Sequence, residues 1–320
     1  MKIYMAPIEG IGGHIYRSAL EEFFPGADGY FAPFIGSGNL NNKEIEDLKP
    51  ENNRLRLTPQ VMSNNADQFM EAVSRLMDFG CDHVNLNLGC PSGTVTSKRR
   101  GAGALENPDE LDRLLCGIYE KCPIPVSIKT RIGMDTYENW EWIMQIINSY
   151  PVSELTVHPR TRKDFYKGPI HMEAFKYACE HTDIPLVYNG EIRSRADYDY
   201  VCEMFPNISG VMIGREELRR PWFIASLKTG QEPDRTRLRA FHDALLDRYG
   251  SELSGESHLL FKMKDLWAHL GEAFAGVDKP LKKLKKSTRL SDYRAAVLEI
   301  FENGELVCGD LSLRDYIANP

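Results

Sequence analysis

Residues 83–91 read His-Val-Asn-Leu-Asn-Leu-Gly-Cys-Pro, an alternating run that ends in glycine, cysteine and proline. Such alternation predicts a β-strand, and glycine and proline directly after it predict a loop that leaves the strand. Seven further stretches are short runs of strand-forming residues, and a polar or charged group closes most of them: residues 3–6, 29–32, 55–62, 125–131, 154–158, 184–188 and 210–214.

Segments with helical periodicity lie between these runs, among them residues 67–79, 109–121, 138–150 and 195–205. Asn107 before Pro108, and Ser194, are suited to cap helices at their N-termini. Eight strand-then-helix units within about 230 residues predict a (β/α)8 TIM barrel. A doubly wound open sheet is the structural alternative, but eight strands and the lack of a G-x-G-x-x-G turn after the first strand weigh against it.

The strand pattern stops near Gly230-Gln231-Glu232-Pro233-Asp234. After it, residues 237–249, 258–275 and 293–303 have helical character. The remaining stretch of about 85 residues is long enough for a small helical bundle. We therefore predict a barrel domain with the catalytic site over residues 1–232 and a helical domain over residues 233–320.

The composition is that of a globular protein, with 42% hydrophobic and 27% charged residues, which excludes intrinsic disorder. No apolar stretch approaches the length of a membrane span, so we expect no membrane association. Seven scattered cysteines lack the spacing of a zinc site or a disulfide framework and fit reduced thiols. We therefore expect a cytoplasmic protein without a metal ion, and a monomer.

The formal net charge of −7 argues against a nucleic-acid partner only until the charges are located. Residues 235–320 hold fourteen basic and thirteen acidic residues, so the rest of the chain carries the remaining −8. One basic run contains no acid, although such a run is most often a solvated helix face: Lys279, Lys282, Lys283, Lys285, Lys286 and Arg289. A second group lies near the expected barrel mouth and completes a candidate path for a phosphate backbone: Lys98, Arg99, Arg100, Arg160, Arg162, Lys163, Lys167, Arg219 and Arg220.

The predicted strand ends indicate a phosphorylated cofactor. Gly190 and Gly214 follow the seventh and eighth strands, and Arg215 adjoins the second of them, as in the usual barrel phosphate site. Backbone N–H groups and a guanidinium can hold a phosphate there. Gln60 and Lys129 are suited to hydrogen-bond a heteroaromatic ring, and a cation stabilises a reduced flavin. The pattern therefore favours FMN over a bare sugar phosphate.

Cys90 stands apart from the other cysteines because it lies on the loop after the fourth strand. We interpret Cys116, Cys179 and Cys202 as small buried hydrophobic residues, which is the common role of a cysteine. A thiol with an ordinary pKa of about 8.5 is mostly protonated at neutral pH and can donate one proton. Beside a flavin, Cys90 is therefore a candidate acid.

Several motifs together resemble the tRNA-dihydrouridine synthases, in family order across the whole barrel. The most specific is Asn87-Leu88-Gly89-Cys90-Pro91 with the downstream Gly101-Ala102-Gly103. The start of the chain and the Asn-Gly-Glu form at strand seven are similar to one bacterial branch. The other matching segments are residues 5–10, 126–131, 157–161, 189–192 and 211–215, with a weaker match around Met263 and Trp267.

The resemblance implies a function and a role for each matching residue. It implies that NADPH reduces FMN, that hydride passes to C6 of a tRNA uridine, and that Cys90 protonates C5. The residues implied to line the isoalloxazine are Pro7, Ile8, Glu9, Gln60, Lys129 and His158. Those implied to hold the ribityl phosphate are Asn189, Gly190, Glu191, Gly214 and Arg215. Those implied to face the uracil are Asn87, Arg160 and Tyr166, while the helical domain would bind the tRNA.

One departure from the family pattern concerns the first loop. Ile11-Gly12-Gly13 stands where the family usually carries an aspartate, although Arg17 falls at the family's arginine position. This departure predicts a change in how the first loop is held, with cofactor binding intact.

Three alternatives remain open from the sequence. One is a small-molecule FMN reductase of the dihydroorotate dehydrogenase type, which leaves the basic helical region unexplained. Another is a dihydrouridine synthase that acts on ribosomal RNA. The third is a non-catalytic RNA-binding protein that retains the flavin pocket.

Overall fold

The computed structural model describes residues 1–36, 40–307 and 313–317. Eight parallel strands form a closed barrel in chain order, with the first strand paired to the eighth. Their bounds are β1 (Lys2–Met5), β2 (Gly29–Ile35), β3 (Leu57–Val61), β4 (Val84–Leu88), β5 (Val126–Arg131), β6 (Leu155–His158), β7 (Leu186–Tyr188) and β8 (Gly210–Ile213). The predicted (β/α)8 barrel is therefore confirmed, and the open sheet is excluded because β1 pairs with both β2 and β8.

Contact density divides the chain into two compact units. The first unit, residues 1–7, 28–213 and 312–320, contains all eight barrel strands. Its helices are α2 (Asn42–Leu48), α3 (Ala66–Asp78), α4 (Gly93–Thr96), α5 (Pro108–Lys121), α6 (Trp140–Asn148), α7 (Met172–His181) and α8 (Arg195–Met204). The two predicted caps are confirmed, since Asn107 accepts from the N–H groups of Asp109 and Glu110 and Ser194 accepts from that of Asp197.

The second unit comprises residues 8–27 and 214–311. Its described part contains a small antiparallel pair, β9 (Phe274–Ala275) with β10 (Glu305–Leu306), in addition to helices. The helices are α1 (His14–Phe23), α9 (Arg215–Arg219), α10 (Phe223–Thr229), α11 (Arg235–Glu252), α12 (Glu256–Leu270), α13 (Asp278–Lys286) and α14 (Leu290–Asn303). This division differs from the predicted boundary at residue 232, because α1, α9 and α10 group with the later helices and residues 313–317 group with the barrel.

Each unit has its own core. In the barrel, Phe31, Val187 and Met212 form part of a buried cluster, and the ring of Tyr4 packs edge-on against Phe31. In the second unit, the Tyr293 hydroxyl lies 2.7 Å from His242 Nε2 and accepts a hydrogen bond from Trp267 Nε1 at 2.8 Å. Burial lowers the pKa of His242, so this network carries a neutral imidazole.

The three cysteines interpreted as buried hydrophobic residues are not fully buried. Cys116 is exposed, and Cys179 and Cys202 are partly exposed. The interpretation was wrong for Cys116 because it lies on the outward-facing side of α5, whose buried face is formed by other residues such as Leu111, Leu115 and Ile118.

Candidate functional site

An unbroken chain of amide and hydroxyl groups crosses three neighbouring strands inside the barrel. Gln60 on β3 pairs in register with Asn85 on β4, and Asn85 with Ser127 on β5. The Gln60 Nε2 donates to Asn85 Oδ1 at 2.8 Å, and the Asn85 Nδ2 donates to the Ser127 hydroxyl at 2.9 Å. All three side chains are buried, so the chain of hydrogen bonds fixes their orientation.

Asn87 connects this chain to the loop that carries Cys90. Its Nδ2 donates to Gln60 Oε1 at 2.6 Å, and its Oδ1 accepts from the N–H groups of Gly89 and Cys90 at 2.9 and 3.0 Å. The role implied for Asn87, contact with the uracil, stays a prediction. The structure gives its amide a different task, which is to set the position of Cys90.

The Gly101–Leu105 turn lies directly behind Cys90. Ala102 N–H donates to the Cys90 carbonyl at 3.1 Å. Gly101 has a φ of +56°, and a Cβ on it would lie 2.9 Å from both the Cβ and the carbonyl oxygen of Cys90. Only glycine allows so close an approach in this left-handed conformation. The Gly101-Ala102-Gly103 part of the sequence motif therefore supports the loop that carries Cys90.

Lys129 occupies the position on β5 beside Asn87. The pKa of its ammonium is lowered to about 7, first by burial and then by the positive charge of Arg131, while Cys90 acts in the opposite direction. Its side chain is partly exposed. Its amine is therefore accessible to a bound molecule.

Arg131 is a residue whose role the sequence did not assign. It is almost fully buried, and each of its three nitrogens donates to a backbone carbonyl: Nε to Gly89 at 3.0 Å, Nη1 to Thr161 at 2.7 Å and Nη2 to Phe165 at 2.6 Å. These bonds join the Cys90 loop to the loop after β6. The only sequence signal was its place at the end of β5, in the Lys-Thr-Arg stretch.

The aromatic pair Phe165 and Tyr166 stands on the loop held by Arg131. The two rings pack edge to face, and both side chains are substantially exposed. The Tyr166 ring lies over the Arg131 guanidinium at 5.3 Å. Phe165 has a φ of +53°, an unusual value for a residue with a side chain, and such outliers gather at functional loops.

A buried ion-pair triad lies after β6 and β7. Arg160 Nη1 is 2.7 Å from Glu191 Oε1, and Arg193 Nε is 3.0 Å from Glu191 Oε2. The carboxylate of Glu191 thus lies between two guanidiniums. Its role at the ribityl phosphate stays a prediction.

The other predicted residues of the barrel unit lie at or just after the ends of β1, β6 and β7. His158 ends β6 and lies beside Arg131 in the register. Asn189 Nδ2 donates to the Met212 carbonyl at 2.8 Å and so ties the end of β7 to β8. A Cβ on Gly190 would lie 2.2 Å from the Tyr188 hydroxyl, so only glycine fits there. Pro7 follows β1 and is partly buried.

Four predicted residues belong to the second unit: Ile8, Glu9, Gly214 and Arg215. The first two follow β1, and the last two follow β8, along the chain. The loop that carries Ile8 and Glu9 is held at Gly10 by the Lys262 amine and at Gly12 by Arg17 Nη1, which donates to its carbonyl at 2.7 Å. Lys262 is an anchor that the sequence did not indicate.

The basic groups differ in how accessible they are. All six cationic residues of the run on and after α13 are exposed, and Lys283 pairs with Glu299. Arg160 and Arg220 are buried. Arg220 and Arg219 pair with Glu216, so these two do not form the surface track that was predicted.

A family model described as dihydrouridine synthase matches residues 4–302, nearly the whole chain. The chain belongs to the dihydrouridine synthase family. The family consists of flavin-dependent oxidoreductases, which agrees with the cationic and amide groups gathered at the ends of the barrel strands.

Curated relatives extend this result. A protein named tRNA-dihydrouridine synthase B from Pasteurella multocida is 27% identical over 73% of this chain and 70% of its own length. A protein named tRNA-dihydrouridine(16) synthase from Aquipseudomonas alcaligenes is 28% identical over 77% of this chain and 82% of its own. The resemblance seen in the sequence motifs is thereby confirmed.

Among solved structures, a complex of morphinone reductase with tetrahydroNAD matches with a TM-score of 0.52. Its sequence identity is 11%, and the match covers 74% of this chain and 89% of that one. This likeness supports the barrel fold alone. Within the residues that the structure describes, no group of histidine, cysteine and acidic side chains is arranged to hold a metal ion. No described helix is both long and apolar enough to cross a membrane.

Proposed function

We propose that this member of the family is an FMN-dependent tRNA-dihydrouridine synthase with Cys90 as its proton donor. The observation that carries the proposal is the position of Cys90: Asn87 and the Gly101–Leu105 turn hold its loop, and the half-buried Lys129 stands nearby on the adjacent strand. Family membership and the names of the relatives support the substrate.

The residues at the barrel mouth fit a flavin. Lys129 is a partly exposed cationic donor on β5, and a flavin offers carbonyl and phosphate oxygens to such a group. Arg160, whose buried Nη2 has no partner in the described part of the chain, is assigned with Asn87 and Tyr166 to the uracil. We assign Pro7, Gln60, Lys129 and His158 to the flavin ring. The resemblance in sequence adds Ile8 and Glu9 for the ring, and Gly190, Gly214 and Arg215 for the phosphate.

A reduced flavin bound here would supply a hydride to the uracil. The chain's own contribution is to place a proton donor: the Cys90 thiol gives its proton to C5 and becomes a thiolate, which Lys129 and Arg131 stabilise through their positive charge. Bonds from Arg131 to both loops keep Cys90 close to the aromatic pair Phe165 and Tyr166. These exposed rings are suited to stack on an extruded base.

We infer that NADPH is the source of electrons, that the enzyme works in the cytoplasm and that it acts as a monomer. The exposed lysines of α13 provide the surface for the tRNA phosphates. The basic surface favours an RNA substrate over the free pyrimidine of a dihydroorotate dehydrogenase.

The test is a comparison of substrates with the purified chain, FMN and NADPH. Unmodified tRNA transcripts, ribosomal RNA fragments and free uridine or orotate are incubated separately, and dihydrouridine is measured by mass spectrometry. We expect product in tRNA alone. Product only in ribosomal RNA, or only from free pyrimidines, would support the corresponding alternative.

A second arm addresses the non-catalytic alternative. RNAs from a strain that lacks the gene are mapped for dihydrouridine, with complementation by the native chain or by Cys90→Ala. We expect only the native chain to restore the modification. Restoration of a growth phenotype by Cys90→Ala, without turnover of any RNA, would support the RNA-binding protein.

A further inference from the structure

The segment of residues 313–317, here called the tail segment, is fixed on the barrel unit by contacts at both ends. Leu313 is fully buried, and its N–H donates to Asp197 Oδ1 at 2.8 Å. At the other end, Ile170 N–H donates to the Tyr316 carbonyl at 2.5 Å, and Ile170 forms a parallel β-bridge with Ile317. The segment therefore has a defined position on the barrel.

This position places the Tyr316 ring on the buried ion-pair triad. Its centroid lies 5.5 Å from the guanidinium carbon of Arg160 and 5.0 Å from that of Arg193. Both distances are within the range of cation–π attraction, which grows as the cation is desolvated. One ring thus contacts both cations that flank Glu191.

The triad has one more positive than negative charge. Arg160 is fully buried, and its remaining contacts are Nε to the Gly168 carbonyl at 2.9 Å and Nη1 to Glu191. Its Nη2 has no hydrogen-bond partner in the described part of the chain. A buried donor without a partner is costly, so this guanidinium is set to receive an acceptor from a bound molecule.

We propose that Tyr316 is a positioning residue that holds the Arg160 guanidinium in the orientation needed for the RNA substrate. Its ring covers the guanidinium and limits the directions in which it can turn, so the unpartnered Nη2 keeps one orientation. This inference rests on the proposed function, because Arg160 is assigned to the uracil side of the site. It extends the site to a segment that the family model, which ends at residue 302, does not include.

The experiment compares substitutions at Tyr316 in the full-length, flavin-loaded enzyme. Tyr316→Leu keeps an apolar side chain for the tail segment but removes the π face, whereas Tyr316→Phe keeps the ring. We expect Tyr316→Leu to raise the KM for tRNA about tenfold, as for the loss of a desolvated cation–π contact, and to leave kcat within about twofold of the native value. Tyr316→Phe should behave like the native enzyme. Arg314→Ala is the matched control, because Arg314 lies over Tyr200 rather than over the triad.

A double-mutant cycle tests whether the effect passes through Arg160. In an Arg160→Lys background, Tyr316→Leu should change kcat/KM less than about twofold. An unchanged KM in Tyr316→Leu, or an effect that adds in full to that of Arg160→Lys, would overturn the proposal. The thermal midpoint and the flavin content of every variant are measured to identify unfolding. If Tyr316→Leu misfolds, Tyr316→Ala serves as a second variant.

The native enzyme separates the two proposals. If it makes no dihydrouridine in tRNA, the proposed function fails. If it does, and the Tyr316 variants behave like the native enzyme, only the role of Tyr316 fails. Direct tRNA-binding measurements, which do not require turnover, should show the same loss of affinity in Tyr316→Leu.

Discussion

Cys90 and Lys129 derive their chemistry from their surroundings and not from residue type alone. The chain has seven cysteines, and among those that the structure describes only Cys90 lies on a loop whose backbone is held by Asn87 and by the Gly101–Leu105 turn. Lys129 is one of many lysines, yet burial and Arg131 lower its pKa to about 7. At this scale, the structure predicts three effects that can be measured separately.

Replacement of Cys90 by alanine should abolish proton donation without disturbing flavin binding. We expect turnover on tRNA to fall by a factor of about 10² to 10⁴, the usual contribution of a general acid, while the flavin absorbance spectrum stays unchanged. Cys116→Ala is the control, because that thiol is exposed on α5. Native turnover in Cys90→Ala would remove this residue from the mechanism.

Lys129 should take up a proton when the flavin binds. In the free protein its pKa is about 7, so at pH 8 the amine is mostly neutral. Carbonyl or anionic oxygens beside it favour the ammonium form and raise its pKa. Calorimetric titrations at pH 8, in buffers of different ionisation enthalpy, should therefore show proton uptake that disappears in Lys129→Met. Equal uptake in both proteins would contradict this assignment.

The same shift affects stability through a defined pH window. Because the folded pKa of Lys129 is about 7 and that of an unfolded lysine is near 10.4, the unfolded chain binds more protons between these values. The free energy of unfolding of the flavin-free protein should therefore gain a contribution as the pH rises from about 7 to 9. Urea denaturation of the native chain and of Lys129→Met at both pH values measures this contribution. If the free energy of unfolding changes with pH by the same amount in both proteins, Lys129 makes no such contribution.

At the level of elements, the loop after β4 and the turn at Gly101–Leu105 form one structural unit. The loop after β4 carries Cys90, and the Gly101–Leu105 turn is a short 3-10 helix packed against it. Asn87 satisfies the N–H groups of the loop from the strand side, and Ala102 satisfies the Cys90 carbonyl from the turn. A change in the turn should therefore displace the Cys90 thiol.

Gly101→Ala tests this connection, with Gly80→Ala as its matched control. Both glycines have a positive φ, +56° and +79°, so the backbone conformation alone costs alanine a similar amount at each, about 1 kcal/mol of unfolding free energy. Only at Gly101 would the new Cβ collide with Cys90, since nothing lies within 4 Å of that position at Gly80. We expect turnover to drop at least about tenfold in Gly101→Ala and to stay native in Gly80→Ala. Equal turnover in the two variants would disprove the coupling.

At the scale of the whole molecule, net charge and local charge have separate consequences. The total of −7 describes solubility, whereas the lysines of α13 form a local exposed basic surface. Pro280 and Leu284 are the buried residues of that helix, so its lysines face the solvent. The acidic total and an RNA substrate are therefore compatible.

Charge reversal at Lys282, Lys285 and Lys286 should weaken tRNA binding several-fold and reduce its salt dependence, because fewer phosphate counterions are released. Reduction of the flavin by NADPH should be unchanged. The control reverses Lys2, Lys121 and Lys176, which are also exposed, and produces the same change in net charge. Filter binding over a range of salt concentrations measures the difference, and equal losses in both triple variants would mean that only net charge matters.

The sequence by itself determined the barrel, because eight alternating or apolar runs separated by amphipathic segments have few other ways to bury their surfaces. The predicted strands at residues 83–88 and 125–131 differ from β4 and β5 by one residue at one end. It also placed Cys90 after the fourth strand, since position along a strand and the following Gly-Cys-Pro are local properties.

Only the tertiary structure decided which side chains satisfy one another. The pairing of Glu191 with Arg160, the three carbonyls bound by Arg131 and the contact of Tyr316 with the triad all join residues that are far apart along the chain. Periodicity reports which face of an element is buried, but it carries no information on the partner across a loop. That information arises when the barrel closes and brings the strand ends together.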